Sequence, residues 1–286
     1  MHRFGYSRFF ACVTLTYFLG LGVPAAHALA QSSVAGKAAD AGQLALEIAG
    51  AGRLRMQSQR LAKLYLQAGM GLKPVQARQQ IELGIAEVDA EFSRLSRLAR
   101  KPGIQRTYAR NELLWQEMRV ALKKSTDSAS VERVNQIADE LMVHAGKLSM
   151  QIESEGETPV GRLLDLSSRL NMLSQRLARL YLQAYGGDRT QGVLTDIEQA
   201  RKEFANSLLE LDTARENTLS SRDNISLAKN QWIFFDGAIR DLNKVDRRED
   251  KAAHNVATSS ERIAQVLDQT SLQYVRDYSE STRNGR

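Results

Sequence analysis

The sequence predicts an all-α protein built as two tandem antiparallel four-helix bundles. Three observations predict it. Apolar residues recur at steps of three and four along most of the chain. Only four prolines occur in 286 residues, at positions 24, 74, 102 and 159, and none needs to lie inside a helix. One segment also occurs twice: RLRMQSQRLAKLYLQA at 53–68 returns as RLNMLSQRLARLYLQA at 169–184, identical at thirteen of sixteen positions with an offset of 116. That period is too long for a solenoid unit and suits a duplicated small domain.

The first 30 residues read as a secretory signal, with Arg3 and Arg8 as the basic region and an apolar run over 9–23. Small residues follow at Ala26-His27-Ala28 and Ala28-Leu29-Ala30. The apolar run is short for a membrane span, so a cleaved leader and a periplasmic mature protein are expected. A first bundle is predicted over 31–155. Its first helix carries the first repeat copy. The next three are marked by Ile81, Ile85, Val88, Phe92 and Leu95; by Ile104, Tyr108, Trp115, Met118 and Leu122; and by Val134, Ile137, Leu141, Leu148 and Ile152. Breakers at 69–74, 101–103 and 125–130 separate them.

Residues 155–159, Glu-Gly-Glu-Thr-Pro, form the expected joint. A second bundle follows over 156–286. Leu163, Leu166, Leu170, Leu173, Leu177 and Leu180 make a stripe that stops at Gly186-Gly187-Asp188. Three more stripes follow, centred on Phe204, Phe235 and Ile263. Trp115 and Trp232 lie 117 residues apart, and Glu91-Phe92 and Glu203-Phe204 lie 112 apart, so the duplication extends past the matching segment. Short connections between long helices favour antiparallel neighbours. One longer bundle with helices running through the joint is the alternative.

Composition narrows the function classes. The lone cysteine, Cys12, falls inside the expected leader, which leaves no disulfide, thiol nucleophile or cysteine metal site beyond it. The net charge of +6 is mild and spread out, unlike the basic stripe of a nucleic-acid binder. His144 and His254 each stand alone, no Glu-x-x-His pair occurs, and no phosphate-cradling glycine loop or nucleophile elbow is present. No metal, cofactor, catalytic residue or nucleic-acid partner is expected, and the chain reads as a non-enzyme.

The stretch Ala51-Gly52-Arg53-Leu54-Arg55-Met56-Gln57-Ser58-Gln59-Arg60-Leu61 resembles the P-box of nitrate/nitrite sensor kinases of the NarX/NarQ type. It is also similar to the matching helix of the PilJ-type domain, found at the amino terminus of type IV pili methyl-accepting chemotaxis transducers. The resemblance is strong over about 17 residues in each half and weaker, though consistent in helix count, elsewhere. It implies a periplasmic four-helix bundle with the P-box on its first helix. It also implies that the arginine before the methionine, Arg55, binds the anion between paired first helices.

The chemistry suits that assignment. Nitrate is planar and weakly hydrated, and a guanidinium presents a planar fork that can meet two of its oxygens. Gly50 and Gly52 would let the helix backbone approach an anion or a facing helix, each at a cost of about 1 kcal/mol against alanine. A small-residue helix crossing without a ligand explains them equally well from the residues alone. Arg53, Met56, Arg60 and Lys63 share one helical stripe, whereas Arg55, Ser58, Gln59 and Ala62 share another.

The copies differ where that chemistry sits. Arg55 becomes Asn171, Gly50 becomes Leu166, Gly52 becomes Ser168 and Gln57 becomes Leu173. Both copies keep the arginines Arg53/Arg169 and Arg60/Arg176, which read as structural. The expected ligand set is therefore Arg55, Gly52, Gly50, Ser58, Gln59 and Asn171. It would be assembled either in an intramolecular pseudo-dimer of the two first helices or in a homodimer. Two functions stay open. One is a nitrate or nitrite binding or sensing protein without its own output domain, relaying to a membrane sensor or transporter. The other is a ligand-free interaction module, accessory to an envelope sensor or to a pilus or chemosensory system.

Overall fold

A computed structural model describes residues 25–156, 159–243 and 250–283. The basic and apolar regions of the expected leader lie outside the described residues. Among the described residues there are eight α-helices and no strand: α1 (Ala25–Gly69), α2 (Pro74–Leu95), α3 (Gln105–Ala121), α4 (Ser128–Glu153), α5 (Pro159–Tyr185), α6 (Gln191–Thr213), α7 (Leu219–Arg240) and α8 (Lys251–Arg283). None of the described helices is long and apolar enough to cross a membrane.

The breaks follow local chemistry. Gly71 adopts φ 76° and Lys73 φ 50°, and Pro74 then opens α2, where its missing N–H is not needed. Asp127 caps α4 by accepting from the Ser130 amide at 2.9 Å, and Thr190 and Thr218 cap α6 and α7. Gly187, at φ 120°, turns the chain after α5. α2 ends with its apolar stripe at Leu95, and a 3-10 turn over Ser96–Arg100 follows it.

Neighbours in sequence run up and down within each half. Arg53 reaches Glu91 and Arg60 reaches Gln80, so α2 runs antiparallel to α1. Gln59 reaches Ala138 while Tyr65 reaches Ser125, so α4 does the same. In the second half, Arg169–Glu203 and Arg176–Asp196 set α6 against α5, and Gln175–Ser260 with Ser167–Ser271 sets α8 against it.

The halves are joined through their first helices. α1 packs on α5 as extensively as it packs on α4, and α8 leans on both α5 and α1. The two helices are parallel: Gly52 abuts Ser168, and Gln59 and Lys63 meet Arg179 and Gln175. Leu54, Leu61, Leu170 and Leu177 are buried with the rest of one continuous core. The core aromatics differ between halves. Trp115 is fully buried and donates to Asp89 at 2.8 Å, whereas Trp232 is partly buried and stacks on Phe204 with centroids 4.2 Å apart.

Candidate functional site

The α1–α5 seam is built from the residues the two copies share. Gln59 donates to the Ala138 carbonyl at 3.0 Å and accepts from Arg179 Nε at 2.9 Å. Its repeat partner Gln175 donates to the Ser260 carbonyl at 3.0 Å and accepts from Lys63 Nζ at 2.7 Å. Lys63 also pairs with Glu261 on α8, and Arg179 pairs with Asp139 on α4 at 2.6 Å. Each half thus sends a cation across the seam to a carboxylate on the fourth helix of the other half, and a glutamine braces it. The Lys63 and Arg179 side chains are 0% and 1% exposed. The sequence placed Lys63 only on a helical stripe with Arg53, Met56 and Arg60. The missed signal was a retained cation inside the apolar run Leu-Ala-Lys/Arg-Leu-Tyr-Leu, where only a paired cation can be buried.

These contacts take Gln59 out of the expected ligand set: its amide is consumed by α4 and by Arg179. Ser58 is engaged as well, its hydroxyl donating to the Arg55 carbonyl at 2.8 Å, as Ser174 does to Asn171 at 2.7 Å. Gly50 faces α2 rather than the seam. A Cβ there would collide with the Glu91 carboxylate and lie 3.1 Å from Leu95. Its role is to let Glu91 lie flat on α1, where Arg53 holds it at 2.7 Å. With Leu166 in place of that glycine, the equivalent Glu203 stands outward. The Glu203 side chain is 35% exposed against 4% for Glu91.

Gly52 does lie at the seam. A Cβ on it would sit 2.5 Å from both Cβ and Oγ of Ser168, so α1 and α5 come too close here for a side chain. Arg53 and Arg169 pair with Glu91 and Glu203; Arg60 pairs with Glu261 at 3.0 Å and Arg176 with Asp196 at 2.9 Å.

Arg55 behaves differently from those four arginines. It lies one turn beyond Gly52 and runs along α4 at Gly146, where a Cβ would lie 3.2 Å from its Nε. Among the described residues no side chain forms a hydrogen bond or ion pair with it, and its buried Nε has no partner. Burial pulls its pKa down. Asp165 and Glu203 act in the opposite sense at longer range, and Arg169 adds to the lowering. The equivalent position on α5 holds Asn171, which is buried with its Oδ1 unpaired. The repeat places Asp268, whose carboxyl is pushed up by burial, where α4 has Gly146. The structure thus pairs the helices that carry Arg55 and Asn171, and it leaves both side chains with an unmet hydrogen-bonding atom.

Residues 39–140 match a family of sensory helical domains of membrane transducers, a signalling class rather than a catalytic one. The family is PilJ, described as the N-terminal domain of type IV pili methyl-accepting chemotaxis transducers. The matched span runs from α1 into α4 and includes Arg55 and the residues around it. No curated protein and no solved structure matches the chain. Among the described residues no group of His, Cys, Asp and Glu side chains is placed to hold a metal ion.

Proposed function

We propose that this chain is a periplasmic sensory module that binds a small planar anion, nitrate or nitrite, through Arg55 beside the α1–α5 seam. The observation that carries the reading is the unsatisfied guanidinium. A largely buried arginine with an unpaired Nε leaves donors unmet, which costs about 1–3 kcal/mol. A planar oxyanion supplies two acceptors in the plane of that fork. Gly146 opposite lacks a Cβ, which lets the guanidinium lie against α4. The second half acts as a second PilJ-type unit, so that α1 and α5 stand as the two first helices of an intramolecular pseudo-dimer. One arginine and one amide, Asn171, then take the place of two arginines. Asp165 and Glu203 lower the local positive potential, which favours a singly charged anion over sulfate or phosphate. A change in seam packing passes to a membrane-bound sensor or transporter.

Isothermal titration of the purified chain with nitrate, nitrite and sulfate tests this. Heat with nitrate or nitrite, absent with sulfate and abolished in Arg55→Ala, is expected. No heat for either anion, or unchanged heat in Arg55→Ala, overturns it.

A further inference from the structure

At the C-terminal ends of α1 and α5 the structure has two clefts related by the repeat. One is bounded by Leu64, Gln80, His254, Ala257, Thr258 and Glu261, with a volume of about 320 Å³. The other is bounded by their counterparts Leu180, Asp196, Glu132, Asn135, Gln136 and Asp139, with a volume of about 700 Å³. The correspondence follows the offset of 116 between α1–α2 and α5–α6. It also follows the pairing of Ala138 with Ser260 as acceptors for Gln59 and Gln175.

The two have diverged in charge. Among the described residues the smaller cleft has one carboxylate, Glu261, already held by Lys63 and Arg60, and Lys73 adds a cation. Among the described residues the larger cleft is lined by four carboxylates, Glu132, Asp139, Asp188 and Asp196, and one cation, Arg179; Asp139 holds Arg179, and Arg176 beside the cleft holds Asp196. Glu132 has no ion pair among the described residues. A hydrogen bond from Gln183 holds the Asp188 carboxyl below its ordinary range, so it stays ionised near neutrality. The second observation is Asn135. It is 8% exposed, it lines the larger cleft, and its Oδ1 has no hydrogen-bond partner. The smaller cleft has Ala257 there. A buried amide oxygen left without a donor is destabilising. Apolar floor comes from Leu66, Met70, Val131 and Leu182.

We propose that the larger cleft is a second ligand site, for a small organic amine. Its ammonium would donate to Asn135 Oδ1 and to Asp196 or Asp139, with its hydrocarbon part on the apolar floor. Because Asp139 is the carboxylate that holds the seam cation Arg179, occupancy reports to α1–α5. This reading does not depend on the anion site at Arg55.

The test uses the full chain, titrated by calorimetry at low and physiological salt with phenethylammonium and 1,4-diaminobutane. The neutral phenethyl alcohol is the comparison. Binding of at least one amine, weakened by salt and absent for the alcohol, is expected. Asn135→Ala and Asp196→Gln, which copy the smaller cleft, should each weaken it tenfold or more. Glu132→Gln, at an exposed position, should weaken it several-fold without threatening the fold. Arg55→Ala should leave amine binding unchanged even where nitrate binding is lost. No binding of either amine, or equal binding by wild type, Asn135→Ala and Glu132→Gln, overturns the proposal.

Discussion

Helices α1 and α5 make the same polar contacts almost pair for pair. Arg53 and Arg169 hold a glutamate on the following helix, Arg60 and Arg176 reach Gln80 and Asp196 nearer the start of that helix, and Lys63 and Arg179 cross the seam. Where the helices differ, their surroundings differ. α1 has Gly50 over a buried Glu91, Gly52 at the crossing, and Arg55 without a partner. α5 has Leu166, Ser168 and a neutral Asn171, and an acidic cleft has opened at its far end. The shared residues are the ones that join the two halves. At the divergent pair Arg55/Asn171 the fold leaves a buried hydrogen-bonding atom unsatisfied on each side, as expected of positions kept for something other than stability.

The sharpest way to break this comparison is at the seam. If Lys63–Glu261 and Arg179–Asp139 are equivalent, then Glu261→Gln and Asp139→Asn each strand a fully buried cation. Removing one partner of a buried pair costs about 3–5 kcal/mol. Here the two carboxylates are 37% and 41% exposed, and a bracing glutamine remains on each cation, so about 2–3 kcal/mol is expected for each. Urea unfolding measures both. Equal losses support the equivalence, and a neutral Asp139→Asn beside a damaging Glu261→Gln breaks it. The pair that runs from Lys63 to α8 would then be the one that holds the halves together.

The next effect separates the two glutamates. Burial works against ionisation of Glu91, but hydrogen bonds from Arg94 and Arg53 outweigh it and hold its carboxyl below the ordinary range. The folded value is the lower one. Its stabilisation is therefore present above the unfolded value of about 4.3 and is lost as pH falls through the folded value. Glu91→Gln should cost about 1–2 kcal/mol at pH 7 and much less at pH 3. Glu203→Gln, on the more exposed pair, should cost under about 1 kcal/mol at pH 7. Thermal melts of the three proteins from pH 7 to pH 3 check this. A wild-type acid limb no steeper than that of Glu91→Gln removes the role assigned to Gly50.

Much of the fold was legible because it is periodic. The breakers at 69–74, 125–130 and 186–188 fall where helices end or begin, and the apolar stripes are the buried faces. The candidate site was legible less evenly. Arg55 stood out as a cation lost from the second copy, and a difference between repeats is visible in one sequence. Gly50 was assigned to the seam because a glycine signals close approach without saying to what; the neighbour is a side chain 41 residues away on α2. Gln59 was counted as a ligand group because its partners, Ala138 and Arg179, lie 79 and 120 residues distant. The acidic cleft was invisible for the same reason. Its carboxylates come from α4, α6 and the turn after α5, and each taken alone has the spacing of an ordinary solvated face.

The smallest effect bears most directly on Arg55. If this arginine is retained for a ligand, it should be a liability without one. Arg55→Met keeps most of the side-chain volume against Gly146 and removes the unpaired Nε. Replacing an unsatisfied buried polar group by an apolar one of similar shape is neutral to stabilising. The ligand-free variant should therefore be about 0.5–1 kcal/mol more stable than wild type in urea. Nitrate should reverse the order, because a ligand that binds only the native state adds RT ln(1 + [L]/Kd) to the wild type and nothing to the variant. A variant less stable than wild type in the absence of anion would mean that the guanidinium is held by Asp165 and Glu203. Arg55 would then join Arg53 and Arg60 among the residues that merely hold α1 in place.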